Sequence, residues 1–414
     1  MGRNETLEIT AHHVARGPSL PHRWILAALV FCAGADPAFG SLLIGTVAGG
    51  RSGYKGDSGP AIQAGLTGPL GVAVDAQGNF FIADTGANVV RKVTAATGKI
   101  ATWAGSGTVG YSGDGGSAVN ARLSGPTSVA VDASGNVYVA DTNNNVIRRV
   151  SAGGVITTFA GTGAKACAGA GGLAANAQLS GPRGVTVDAG GNVYIADAGC
   201  EVVRKVDTSG VITTVAGNGN WGYTDNLLAT SAELANPSGV AVDASGNLYI
   251  ADQANYVVRA VDHGSGLIRT FAGTGIQGYS GDGAAATQAE LESPTGVAAD
   301  AAGNVYIADR QICAIREVDH ASGSIAAVAG NGTCGYLGDA GLATSAELYF
   351  PAGVAVSMAG ALYIADSSNN AIREVSAACQ VSGAVRTSDA QGLAGVDIAV
   401  TGSASTATRT QPRN

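Results

Sequence analysis

Histidine is nearly missing from the working part of this 414-residue chain, with only five in all. His12, His13 and His22 precede the first regular pattern, which leaves His263 and His320. A three-histidine zinc centre therefore cannot be built. Charge is sparse too, at 13% of residues with a net value of −8 and no basic run. That argues against nucleic-acid binding, which relies on clustered Lys and Arg. Aromatics are only 5%, so the core must come from Val, Ile, Leu and Ala. No G-x-S-x-G, H-E-x-x-H or P-loop is present, which removes the common signatures of serine hydrolases, zincins and nucleotide-binding loops. The longest apolar run, Trp24 to Ala35, is too short to cross about 30 Å of hydrocarbon. It follows Arg3, Arg16 and Arg23 and ends in the small residues Ala33 and Ala35. This is the pattern of a secretory signal peptide over residues 1–35, and the mature chain is expected to carry no transmembrane segment.

Glycine, by contrast, is abundant at 63 residues, and it punctuates a repeat. Six related phrases occur: "GVAVDAQGNFFIAD" from Gly71, "SVAVDASGNVYVAD" from Ser128, "GVTVDAGGNVYIAD" from Gly184, "GVAVDASGNLYIAD" from Gly239, "GVAADAAGNVYIAD" from Gly296 and "GVAVSMAGALYIAD" from Gly353. Their spacing is 55–57 residues. Each unit reads as four short strands rich in Val, Ile and Tyr, separated by Asp-, Asn- and Gly-containing turns. Four antiparallel strands repeated radially make a β-propeller blade. The predicted fold is all-β, a six-bladed propeller over residues 43–378. The sixth unit lacks a fourth strand, whereas the segment "LIGTVAGG" from Leu43 resembles a fourth strand without a unit. The N-terminal strand is therefore expected to complete blade six and close the ring, leaving no open edge there. A monomer is expected.

Heads such as "SVAVDASGNVYVADTNNNVIRRV" and linkers with "YSGDGG" resemble the NHL repeats of bacterial proteins related to the teneurin propeller. The resemblance covers about residues 43–378. It implies a propeller, while NHL propellers serve as binding platforms, sensors and occasionally enzymes. From Gln380 the pattern changes to "VSGAVRTSDAQGLAGVDIAVTG", which resembles the opening of a carboxypeptidase regulatory-like, Ig-like sandwich. About two of the seven strands such a domain needs are present, so residues 380–414 are expected to be an incomplete or loosely ordered segment.

Long linkers join each fourth strand to the next first strand. They are expected on the same, upper face as the turns between second and third strands, and long loops on a rigid scaffold are where binding concentrates. They carry Tyr54 and Asp57, Tyr111 and Asp114, Tyr223 and Asp225, Tyr279 and Asp282, and Tyr336 and Asp339; the linker into blade three has neither. Two roles suit these residues: a ring for a cation or a sugar, or a structural one in which Asp caps the following helical turn and Tyr packs beneath the loop. Their near-identity in most blades favours the structural role.

A second constellation pairs an Asp with an Arg seven residues on: Asp84/Arg91, Asp141/Arg148, Asp197/Arg204, Asp252/Arg259, Asp309/Arg316 and Asp366/Arg373. The Arg shares a strand side with Val, Ile or Ala, which places it between blades, where it needs an anion. Its partner is either this Asp or the Asp ending the first strand of a neighbouring blade. The competing use is a divalent-metal mouth; Ca²⁺ needs only hard oxygen ligands and stays open, while no other cofactor is expected.

Cys313 and Cys334 are expected to meet at one upper edge, as are Cys167 and Cys200, and an exported chain permits both disulfides. The leading functional expectation is an exported or cell-surface, non-enzymatic binding module for a protein or glycan. The competing one is a metal-dependent lactonase-type hydrolase, for which Glu201, breaking the repeat where Asn recurs, is the best acidic candidate.

Overall fold

A computed structural model describes residues 42–377 together with the strands Leu29–Val30 and Val381–Ser382. The chain divides into two compact units, Ile44–Ser376 and a second comprising Met1–Leu43 and Ala377–Asn414. Of the second unit, the antiparallel pair Leu29–Val30 with Val381–Ser382 is described. The rest of the signal-peptide and sandwich-like segments, with Cys32 and Cys379, lies outside the described residues.

Six antiparallel sheets form the propeller. Blade one comprises Gly71–Val74, Phe80–Asp84, Val89–Thr94 and Lys99–Ala104. Blades two to five begin at Pro126, Pro182, Pro237 and Pro294 and repeat this order. In blade six, Pro351–Val356, Leu362–Asp366 and Ala371–Ala377 are followed in space by Leu42–Gly49. The ring is thus closed by the N-terminal strand, which also bonds through Gly50 N–H to the Asn370 carbonyl. Among the described residues there is no α-helix, only short 3-10 turns, and so none long and apolar enough to cross a membrane.

Local chemistry explains the blade. In the first turn, Asp75 Oδ1 accepts the Gln77 and Asn79 N–H groups, and Gly78 takes φ +79°. This Asx turn is what Asp and Gly favour. Asp132, Asp188, Asp243 and Asp300 accept the equivalent N–H four residues on, and Ser357 replaces Asp in blade six. Between second and third strands, a 3-10 turn, or in blade five a simple hydrogen-bonded turn, ends in a left-handed residue: Asn88, Asn145, Glu201, Tyr256, Cys313 or Asn370. Asn tolerates that conformation better than most residues. The core lies between blades; Ile372 and Ala365 of blade six pack with Ile82 and Phe80 of blade one across the closure.

The linkers depart from expectation. They do not stand free on the upper face. Each turns along the outer strand of the blade it leads into, through bridges such as Pro60 to Lys99, Ser117 to Val155, Leu173 to Val211 and Ala285 to Ser324. In blades four and six this pairing lengthens to a fifth strand, Leu227–Leu228 and Gly341–Leu342. An outer strand would otherwise expose unpaired N–H and C=O groups. The linker covers them, then buries Ala118, Ala121 and Leu123, or their counterparts, between blades.

Candidate functional site

The two repeated constellations are one. The third strand carries a fully buried Arg in blades one, two, four, five and six. Each of these is ion-paired to the linker Asp, Arg91 to Asp57, Arg148 to Asp114, Arg259 to Asp225, Arg316 to Asp282 and Arg373 to Asp339, at 2.5–3.1 Å. The linker Tyr lies across the guanidinium, with centroid distances of 4.7–5.3 Å. The Tyr hydroxyl meets a fourth-strand Thr in blades one, two, four and six, as in Tyr111 with Thr158. Two expected roles are thereby corrected. The linker Asp does not cap the 3-10 turn, whose own start makes no side-chain cap; a buried guanidinium claims the carboxylate instead. Nor does Tyr pack beneath the loop, since it is 42–47% exposed.

The Asp ending the second strand is the inner partner in blades one, two, three, four and six. The expected Asp309–Arg316 pair does not form within 4.0 Å, because Arg316 turns Nε and Nη2 to the linker Asp282 instead. Asp141 Oδ1 accepts the Ser124 N–H at 2.7 Å, and Oδ2 lies 3.5 Å from Arg148 Nη1. Asp84, Asp197, Asp252, Asp309 and Asp366 accept the equivalent linker N–H, and Asp309 accepts that of Ser293 as well. The Asp ending the first strand is not an Arg partner; the Asx turn occupies it. Burial dominates the inner carboxyls and pushes Asp84, Asp141, Asp197, Asp309 and Asp366 up to about 6, against the pull of backbone N–H groups and Arg. For Asp114 and Asp225, burial also opposes ionisation, but hydrogen bonds and Arg outweigh it and hold them below the usual range.

Blade three differs. Cys167 occupies the repeat position of Tyr111, and Ala170 that of Asp114. Cys167 is disulfide-bonded to Cys200 with Cα atoms 5.5 Å apart, and Arg204 turns Nε to Asp197 at 2.8 Å. Cys313 and Cys334 form the second disulfide, Cα atoms 5.3 Å apart. The backbones of His263 and His320 bond to Asn247 and Asn304 in the lower turns.

None of these Tyr, Asp or Arg residues lines the central channel, which has a volume of about 620 Å³ and is walled by the six first strands. Among the described residues, no group of three His, Cys, Asp or Glu converges as metal ligands do. Glu201 does not line the channel either; its Oε2 accepts the Asn236 N–H at 2.6 Å. This is the bond that Asn88, Asn145 and Asn370 make to Gly125, Gly181 and Gly68. Burial raises its carboxyl pKa, and the Asn236 bond opposes that rise.

The channel mouth is where symmetry fails. In blades one, two and six the residue after the second strand is Thr85, Thr142 or Ser367, whose hydroxyl donates to the next blade's Pro carbonyl at 2.6–2.8 Å. In blades three, four and five that residue is Ala198, Gln253 or Arg310. Arg183, on the blade-three first strand, donates Nη1 to Gln253 Oε1 at 3.2 Å. Gln253 also accepts from Asn236 Nδ2 and donates to Ser293 Oγ. Reading only what recurs missed these residues; the signal was the non-repeating residue after each "AD" and, for Arg183, after the Pro that leads into each first strand.

The fold is thus a six-bladed β-propeller, and the comparisons agree. The Teneurin NHL domain profile matches residues 107–168 and 162–227. The chain is 30% identical over 275 residues to Protein SUPPRESSOR OF QUENCHING 1, chloroplastic, of Arabidopsis thaliana, covering 63% of this chain and 26% of that protein. It is 32% identical over 281 residues to Teneurin-4 of Mus musculus, covering 58% and 10%. The chain therefore spans about a quarter or less of the curated relatives it matches. Among solved structures, a protein of unknown function from Bacteroides thetaiotaomicron superposes with TM-score 0.61 at 17% identity, covering 81% of this chain and 76% of that one. An auxiliary nutrient binding protein from Bacteroides ovatus gives 0.59 at 14%, covering 81% and 77%. A gluconolactonase from Xanthomonas campestris gives 0.53 at 14%, covering 88% and 99%. At these identities the likeness is one of fold.

Proposed function

We propose that this propeller is an exported, non-enzymatic module that binds a protein or glycan ligand at the upper face around its channel mouth. One observation carries the reading. The repeated carboxylates, which a metal-dependent hydrolase would need, are committed to buried arginines, while the unrepeated mouth residues are hydrogen-bonding and cationic groups without a nucleophile beside a base. The exposed linker residues Trp221, Ile276 and Val109, 64%, 62% and 61% exposed, add contact surface. Two disulfides and the signal-peptide pattern of residues 1–35 support an exported setting. The nutrient-binding propeller shares the fold, and so does the gluconolactonase, which keeps a lactonase as the competing reading with Glu201 as its acid.

The test sets the purified chain on a glycan array and, in parallel, measures δ-gluconolactone hydrolysis with Ca²⁺, Mn²⁺ or Zn²⁺. Saturable glycan binding that weakens with Trp221→Ser, without turnover, supports the module. Metal-dependent turnover abolished by Glu201→Gln overturns it.

A further inference from the structure

Two guanidiniums converge where the six blades meet, and among the described residues neither has a carboxylate within 4.0 Å. Arg183 and Arg310 both line the channel at its mouth. Arg183 spends one N–H on the neutral Gln253 oxygen. The Arg310 side chain makes no hydrogen bond to a described residue; its Nε is buried and unpartnered, and its guanidinium lies 5.5 Å from the Phe350 ring centroid. The Nε groups of Arg91, Arg148, Arg259 and Arg373 are buried and unpartnered too, but those guanidiniums hold linker carboxylates. Arg310 has none among the described residues, so its buried donor calls for an acceptor. Glu201 is the nearby acid, and it is committed to the Asn236 N–H.

The placement runs against the local repeat. Blades one, two and six use a hydroxyl at the Arg310 position to join the next blade. Blade five gives up that bond and sets a long cation there. The counterparts of Arg183 are Leu70, Thr127, Ser238, Thr295 and Ala352, all uncharged. A chain of net charge −8 thus holds two unpaired cations at one opening. Partial desolvation lowers the Arg183 pKa; Glu201 opposes that, and Arg310 adds to it by repulsion. Like charges at one cleft opening reinforce each other's field and raise the local concentration of anions. The planar fork of a guanidinium matches the two oxygens of a carboxylate or phosphate.

We propose that the channel mouth is a binding site for a small organic anion, a carboxylate or phosphate, gripped between Arg183 and Arg310 and oriented by Gln253. The assignment rests on the binding-module reading and names the chemistry that module recognises. The mouth gives the anion two forks, the Gln253 amide carries Arg183, and the channel below has room for the remainder of a sugar-sized ligand.

The experiment is calorimetric titration of the full chain with glucuronate, glucose 6-phosphate and glucose. Glucose is the neutral counterpart of both acids, and the two acids separate carboxylate from phosphate. At least one acid is expected to bind saturably and at least tenfold more tightly than glucose, and to weaken as salt is raised. Arg183→Ala and Arg310→Ala should each weaken that acid at least tenfold with an unchanged melting curve. Arg310→Lys, which keeps charge but loses the fork, should recover only part. Equal affinity for glucose, no binding of either acid, or unaltered affinity in well-folded Arg variants overturns the anion site. If those results accompany intact glycan-array binding, the anion site fails alone. Metal-dependent lactone turnover defeats the module reading and leaves the titration to judge the anion site.

Discussion

Arg204 Nε donates to the Asp197 carboxylate at 2.8 Å, and no linker carboxylate reaches this guanidinium. In the other blades, a linker Asp and a Tyr ring share the Arg from outside. Blade three replaces both, because Cys167 and Ala170 stand at their positions and the Cys167–Cys200 disulfide ties the linker down. One covalent bond takes over the anchoring that an ion pair and a stacked ring provide elsewhere.

The first prediction compares two arginines. Arg148→Met orphans buried Asp141 and half-exposed Asp114. It should cost about 3–5 kcal/mol at pH 7.5, the usual loss when one partner of a buried pair is removed. Arg204→Met orphans a single carboxylate and should cost less. Urea unfolding midpoints of the two variants read the difference, and an equal or larger loss for Arg204→Met contradicts the proposed sharing.

Ring closure gives the second. Deleting residues 43–49 exposes the Ala371–Ala377 strand and removes buried Ile44 and Ala48. The melting temperature should fall by roughly 10 °C or more, given about 2–4 °C per kcal/mol for chains of 150–250 residues. A melting curve like that of the intact chain would remove the N-terminal strand from the ring.

The disulfides are tested covalently and thermodynamically. A non-reduced digest should yield peptides joined through Cys167–Cys200 and Cys313–Cys334. Replacing Cys167 and Cys200 together by Ser should cost about 2–4 kcal/mol, since the bond closes a loop of separation 33. Blade three should suffer most, having no linker ion pair in reserve, and hydrogen exchange at Val202–Val206 should rise first. Free thiols in oxidised protein contradict the pairing.

Acidity provides the fourth. Five inner carboxyls have folded values near 6 against an ordinary 3.8. Between these values the folded state binds more protons than the unfolded state, so stability must rise as pH falls from 7 toward about 4.5. Asp114 and Asp225 are shifted downward. Their contribution is present above 3.8 and is lost as pH falls through their folded values. Stability at pH 5 should therefore exceed that at both pH 7.5 and pH 3, by at least about 2 °C in melting temperature. A steady fall from pH 7.5 to pH 5 contradicts the burial argument.

Blades, turns and closure were legible in the chain because each rests on local chemistry repeated six times. "DASGN" makes its own Asx turn, alternating Val, Ile and Tyr make strands, and a missing fourth strand at one end matches a spare one at the other. The cysteine pairings followed from the same topology. Long-range geometry decided the rest. Asp114 and Arg148 lie 34 residues apart, and only the descent of the linker along the outer strand brings them together. A buried guanidinium then draws the carboxylate away from the turn it was expected to cap. Arg183, Gln253 and Arg310 lie on three different blades, and nothing local links them. They share a mouth only because the ring closes and turns equivalent positions toward one axis, where a departure from the repeat in one blade faces a departure in another.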